Sequence, residues 1–234
     1  MNSTHTMARR AGALYFLFMI VAIVGEFVIP NFMVPGDAAA TAAKITASEA
    51  MYRLDILTGF ITLLIFIFLV VSLYKLLEGV DKGHAMRMVL LVSIGVAFSV
   101  ANLLNKFAPL VLLKGGDYLS VFSKPQLDAL ALSALRFHSS GAVVSIAFWG
   151  LWLFPFGILV IRSGFIPRIL GVLLLVAGFA YLTSSVTSIV LPEYRQAVSR
   201  VLMPLYMGEV PIIFWLLIRG ARPRATRMAA DPAR

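Results

Sequence analysis

The 234-residue chain reads as an all-α, polytopic membrane helical bundle, and three observations predict that class. Sixty per cent of its residues are hydrophobic and only 13% are charged, about half the charged share of an ordinary soluble domain. Mean hydropathy is +0.93, which implies more apolar surface than one soluble core of this length can cover. The apolar residues also fall in long runs, each close to the roughly 20 residues a helix needs to cross a hydrocarbon layer of about 30 Å. Lipid offers no partner to backbone N–H and C=O groups, so such runs must close their own hydrogen bonds as helices.

Six runs follow in order. Ala11 to Pro30 comes after Arg9 and Arg10. It exceeds the roughly 7 to 15 apolar residues of a signal peptide and carries Glu26, so a retained helix is expected rather than a cleaved leader. Beyond Pro35-Gly36, Asp37 stands where an N-cap belongs, before an alanine-rich helix running towards Ser48. The second run, Ile56 to Leu77, ends in a tight connection, Glu78 to His84. The third, Met88 to Leu113, is interrupted by Asn102, Asn105, Lys106 and Pro109, which predicts a bent outer end or an early exit from the membrane. Ser123-Lys124-Pro125-Gln126 forms a capping-box pattern opening a helix that continues through Arg136 into the fourth run, Ser139 to Ile161. That helix would be about 57 Å long, so a break near Ser139-Ser140-Gly141, or protrusion outside, is expected. Ser163 to Pro167 makes a second tight turn, and the last runs are Ile169 to Leu191 and Val201 to Ile218. Residues 1–220 form one membrane domain, arranged as three hairpins with short helices in the outer loops. Residues 221–234 form a basic cytoplasmic tail, expected to be disordered.

Charge sets orientation. The 20 lysines and arginines divide twelve to eight between the two sides, while three acids accompany the larger set and six the smaller. Basic residues in short loops stay in the cytoplasm, so both termini are expected there. The net charge of +9 is dispersed through connections, with no basic domain for nucleic acid. Cysteine is absent, which removes disulfides, thiolate metal sites and a thiol nucleophile.

Ala8-Arg9-Arg10-Ala11-Gly12, the loop from Pro35 to Ala42, Tyr52-Arg53-Leu54, Arg136-Phe137-His138, and above all Arg162-Ser163-Gly164-Phe165-Ile166-Pro167-Arg168-Ile169-Leu170-Gly171 with Gly178 and Tyr181 carry a resemblance. Over nearly its whole length the chain resembles the bacterial membrane family called domain of unknown function 4386. The resemblance implies several membrane helices in the inner membrane and no established activity, so no catalytic residue is carried over.

Ionisable groups inside a bilayer are costly and mark function by default. Glu26 falls about 22 Å up the first run, Asn102 about 21 Å up the third, and Glu209 about 12 Å below the outer end of the sixth. Arg53 and Asp55 enter at the top of the second run, Arg136 and His138 at the top of the fourth, with Asn105 and Thr187 at similar depth. The expectation is a polar pocket open to the exterior, above an almost purely apolar inner half. Glu209 lies between Pro204 and Pro211, where irregular backbone is expected; it either pairs with Arg53, Arg136 or Lys106, or faces a ligand. His138 is expected to bond one of the carboxylates. With three histidines, two of them outside this layer, neither a three-histidine zinc site nor a bis-histidine haem site can form, and no metal or other cofactor is expected. The leading reading is binding or transport of a small or lipid-like ligand. The alternatives are an intramembrane lipid-modifying enzyme using a carboxylate with His138, and a structural or assembly subunit whose polar layer satisfies itself. Membrane lipids are expected partners; nucleic acid is not.

Overall fold

A computed structural model describes residues 3–221. Among them six helical segments are long and apolar enough to cross a membrane: Thr4–Val28, Glu49–Leu77, Lys82–Lys114, Lys124–Ser163, Arg168–Val190 and Pro192–Arg219. No strand occurs among the described residues. The tail beyond residue 221 lies outside them.

The first span is α1 (Ser3–Ile23) continued by a π-helical turn, Val24–Val28, in which the Ile29 amide reaches the Val24 carbonyl at 3.1 Å. Then α2 (Ala38–Ala47) starts where the sequence places it, with the Asp37 carboxylate accepting from the Ala40 amide at 2.8 Å. Its buried face, Thr41, Ala42 and Ile45, packs on α5. Next come α3 (Glu49–Leu77) and α4 (Lys82–Lys114), antiparallel neighbours across the tight turn at residues 78–81. The 33 residues of α4 run unbroken for about 50 Å. Asn102, Asn105, Lys106 and Pro109 therefore do not end the helix early, and Asn102 and Pro109 are buried.

The break expected at Ser139-Ser140-Gly141 is displaced. Following the Ser123–Gln126 capping box, α5 (Lys124–Leu151) runs straight through those residues, and the chain turns at Trp152 before α6 (Leu153–Ser163). The cause is Pro155, which has no N–H and whose ring presses on the carbonyl four residues back, that of Leu151. Gly141 has another duty: a Cβ there would collide with the Asn102 amide of α4.

A glycine seam joins the chain on either side of this bend to α7 (Arg168–Val190). Gly150 meets Gly178, and Gly157 meets Gly171, so the pairs recur every seven residues on both strands of the contact. A Cβ on Gly171 would stand 2.6 Å from the Gly157 carbonyl oxygen, and one on Gly157 would stand 2.8 Å from that of Gly171. Small residues at this spacing let two membrane helices approach backbone to backbone. After α7 come α8 (Arg195–Tyr206), a 3₁₀ turn at Met207–Glu209, α9 (Val210–Phe214) and a π turn at Trp215–Arg219.

Packing is uneven along the bundle. The main core includes Leu73, Leu77, Met88, Trp152, Phe156 and Leu170, and fills the end that carries Ala8, Ala221 and the two tight turns. Trp152 stacks on Phe156 with ring centres 5.2 Å apart and meets Phe66 edge-on at 5.2 Å. At that end the Arg9 Nε also donates to the Leu217 carbonyl at 3.2 Å, tying the first span to the last. The opposite end holds a smaller cluster around Phe32, Tyr52 and Leu135. The depression at the core-filled end, lined by His84, Arg87 and apolar residues of α4 and α6, is almost wholly apolar, whereas the opposite end leaves a space lined by charged groups.

The turn at residues 78–81 has its own electrostatic fastening. Asp81 accepts from the His84 amide at 3.0 Å, its Oδ2 lies 2.9 Å from His84 Nδ1, and Arg162 reaches the same oxygen at 2.9 Å. These donors, the His84 amide first and its ring second, hold the Asp81 carboxyl below its usual 3.8. A carboxyl with a depressed folded pKa adds stability above its unfolded pKa that is lost as pH falls through the folded one. The thermal midpoint of the protein is thus expected to exceed that of Asp81→Asn at pH 7, with the difference closing below about pH 4. Equal midpoints at pH 7 would show that this contact does not hold the turn.

Candidate functional site

Where the core thins, five segments enclose a cavity of about 320 Å³: the end of the first span, the start of α3, the late turns of α4, the middle of α5 and the start of α8. Its charged lining consists of Glu26, Asp55, Lys106 and Arg195, joined by His138 and Tyr52. Lys106 donates to the Asp55 carboxylate at 2.6 Å, with both side chains less than a fifth exposed. The Tyr52 hydroxyl donates to the Lys106 carbonyl at 2.8 Å, so α3 and α4 fix each other at this level.

His138 is positioned by a reciprocal clamp between α4 and α5. The Asn102 amide donates to the His138 carbonyl at 2.9 Å, and His138 Nδ1 donates to the Asn102 carbonyl at 3.1 Å. Asn105 donates to the Asn102 side-chain oxygen at 3.1 Å and completes the clamp. A carbonyl can only accept, so Nδ1 carries the hydrogen and Nε2 keeps its lone pair. Glu26 sits in the π turn of the first span, a form of helix that recurs at functional sites. The cavity therefore presents two carboxylates, an ammonium, a guanidinium and an imidazole with one tautomer selected. That arrangement suits a small ligand bearing both signs of charge.

The sequence candidates separate into groups. Glu26, Asp55 and His138 line the cavity. Asn102 and Asn105 support it from the α4–α5 seam rather than facing it. Arg53 lies elsewhere, paired at 2.7 Å with Glu49 on its own helix. Arg136 is exposed, and Thr187 lies on α7 away from the lining. His138 bonds a backbone carbonyl rather than a carboxylate, because the clamp with Asn102 satisfies its ring first. The Ser139 hydroxyl donates to the Leu135 carbonyl at 3.0 Å, so its hydrogen is not directed at the imidazole. Lys106, Tyr52 and Arg195 complete the lining. Lys106 had a readable signal, a cation within an apolar run; Arg195 had none, since its place depends on how α8 folds back.

Glu209 forms a second polar centre. The Tyr15 hydroxyl donates to its Oε2 at 2.6 Å, and the Tyr181 phenol bonds the same carboxylate. Tyr206 stacks on Tyr181, ring centres 4.7 Å apart. Among the described residues no Lys, Arg or His pairs with Glu209, contrary to the expected partners Arg53, Arg136 or Lys106. Its depth differs too. The last span begins at Pro192, not Val201, which places Glu209 about 25 Å from that end and about 15 Å from Arg219. Tyr15, midway along the first span, and Tyr181, just past the middle of α7, hold the carboxylate between two phenols near mid-bundle. No group of three or more His, Asp or Glu residues gathers as metal ligands among the described residues.

The family model described as domain of unknown function (DUF4386) matches residues 10–220. An uncharacterized protein of Archaeoglobus fulgidus is 33% identical over 75 residues, 32% of this chain and 43% of that protein, so the match spans under half of the relative's length. No solved structure matches.

Proposed function

The chain belongs to the DUF4386 family, which carries no assigned activity, and on that premise we propose that its polar cavity binds a small zwitterionic solute or lipid headgroup. The observation that carries this reading is the grouping of Glu26, Asp55, Lys106, Arg195 and His138 around one cavity. A ligand with an anionic and a cationic group would meet Lys106 and Arg195 with the first, and Asp55 and Glu26 with the second. Asp55 and Lys106, partly buried, interact with such a ligand more strongly than the exposed Glu26 and Arg195, because less water screens them. The bias of basic residues supports an inner-membrane orientation with both termini in the cytoplasm and this cavity facing the exterior.

In a thermal-shift screen of zwitterionic solutes and headgroups, a ligand is expected to raise the midpoint of the wild-type protein, and Asp55→Asn with Lys106→Gln is expected to remove that shift. A ligand whose stabilisation survives the double substitution would place binding elsewhere.

The selected tautomer of His138 favours one further reading, a base acting on a bound lipid. Its Nε2 lone pair remains available for proton abstraction. Lipid extracts from membranes with the wild-type protein and with His138→Gln would then differ in one species. Identical extracts leave binding without chemistry as the function.

A further inference from the structure

On a different face of the bundle, we propose that the groove between α3 and α4 holds one anionic phospholipid, its acyl chain along the groove and its phosphate on Arg53 and Lys114. The groove, about 380 Å³, is lined by apolar side chains including Leu57, Phe60, Val100, Leu104 and Phe107, with Arg53 at its mouth. A second depression of about 310 Å³ continues it past Arg53 to Lys114 and Tyr118, sharing Phe107 and Leu110 with the first.

Length, charge and end group agree on the occupant. From Val100 to Leu110 the groove follows ten residues of α4, about 15 Å, half of a hydrocarbon layer of about 30 Å. It therefore accommodates a chain from one leaflet. The charged residues lining the two depressions are Arg53 and Lys114, and no acid lines either. Glu49 occupies the Nε and Nη2 edge of Arg53. Lys114 makes no ion pair among the described residues, so the mouth keeps a net positive charge. Tyr118, 69% exposed, stands beside these cations, the amphipathic ring that membrane interfaces favour. Basic residues above a cleft between membrane helices are the recognised chemistry for anionic lipid headgroups.

The test is native mass spectrometry of the full chain with phosphatidylglycerol and phosphatidylcholine of identical acyl chains. The wild-type protein is expected to retain phosphatidylglycerol preferentially, and Arg53→Gln and Lys114→Gln should each reduce that preference about fivefold. Both side chains are exposed, and an unchanged thermal midpoint checks that the variants fold. Leu104→Trp, which fills the groove, should lower retention of both lipids. Equal retention by the wild-type protein overturns the proposal. So does a preference that persists in the double variant, which would assign it to the basic residues at the opposite end.

Discussion

Gly171→Val is expected to be strongly destructive to the bundle, lowering stability by about 3 kcal/mol or more. The Cβ would fall 2.6 Å from the Gly157 carbonyl oxygen and 2.6 Å from Ile161 Cγ1. The first of these is backbone, so no rotamer change relieves the clash; α6 and α7 must separate. Separation would also pull apart Gly150 and Gly178, the pair seven residues on, and disturb Leu153 and Phe154 packed beside them. Gly79→Ala is the natural control, because nothing lies within 4 Å of its Cβ position. Denaturant titration in mixed micelles measures both. A Gly171→Val protein as stable as the wild type would mean that the helices do not pack through this seam.

The second large effect concerns Glu209. Glu209→Leu takes the acceptor from Tyr15, which is 1% exposed, and from Tyr181. A buried donor left without a partner costs roughly 1 to 3 kcal/mol, so a loss of about 3 kcal/mol is expected for the two phenols together. Glu209→Gln keeps an oxygen in place and should cost under about 1 kcal/mol. The reciprocal experiment identifies the cause. Adding Tyr15→Phe and Tyr181→Phe to Glu209→Leu removes donors and acceptor together, and most of the lost stability should return, since an apolar replacement of a buried polar group can be nearly neutral. If the triple variant is no more stable than Glu209→Leu, the loss comes from packing and not from stranded hydroxyls.

Much of this architecture was legible in order. Asp37 and Ser123 cap helices because their side chains satisfy amides that the first turn leaves free, a local requirement that neighbouring residues already announce. Glu26, Asp55 and His138 could be selected as site candidates because a charged or imidazole group inside an apolar run is expensive wherever it points. Distance along a helix, however, does not give depth when the start of the helix is misplaced. For Glu209, beginning the last span at Val201 instead of Pro192 set the carboxylate near the outer end, whereas its contact with Tyr15 lies near mid-bundle. Direction around the helix axis was equally hidden. Arg53 and Asp55 stand two residues apart, yet one borders the lipid-facing groove and the other the polar cavity.

The sequence by itself determined the solvent, the helical class and the capped starts of α2 and α5, since each follows from hydrophobic free energy or from groups within a few residues. Tertiary structure alone decided which polar residues share a space. Asp55 meets Lys106 from 51 positions away, and Tyr15 meets Glu209 from 194. Such encounters depend on the rotation and crossing of packed helices, set here by Gly12 against the last span and by Gly150, Gly157, Gly171 and Gly178 along α7. In helices apolar nearly all round, as α3 and α7 are, no amphipathic stripe records that rotation; only the packed backbones do.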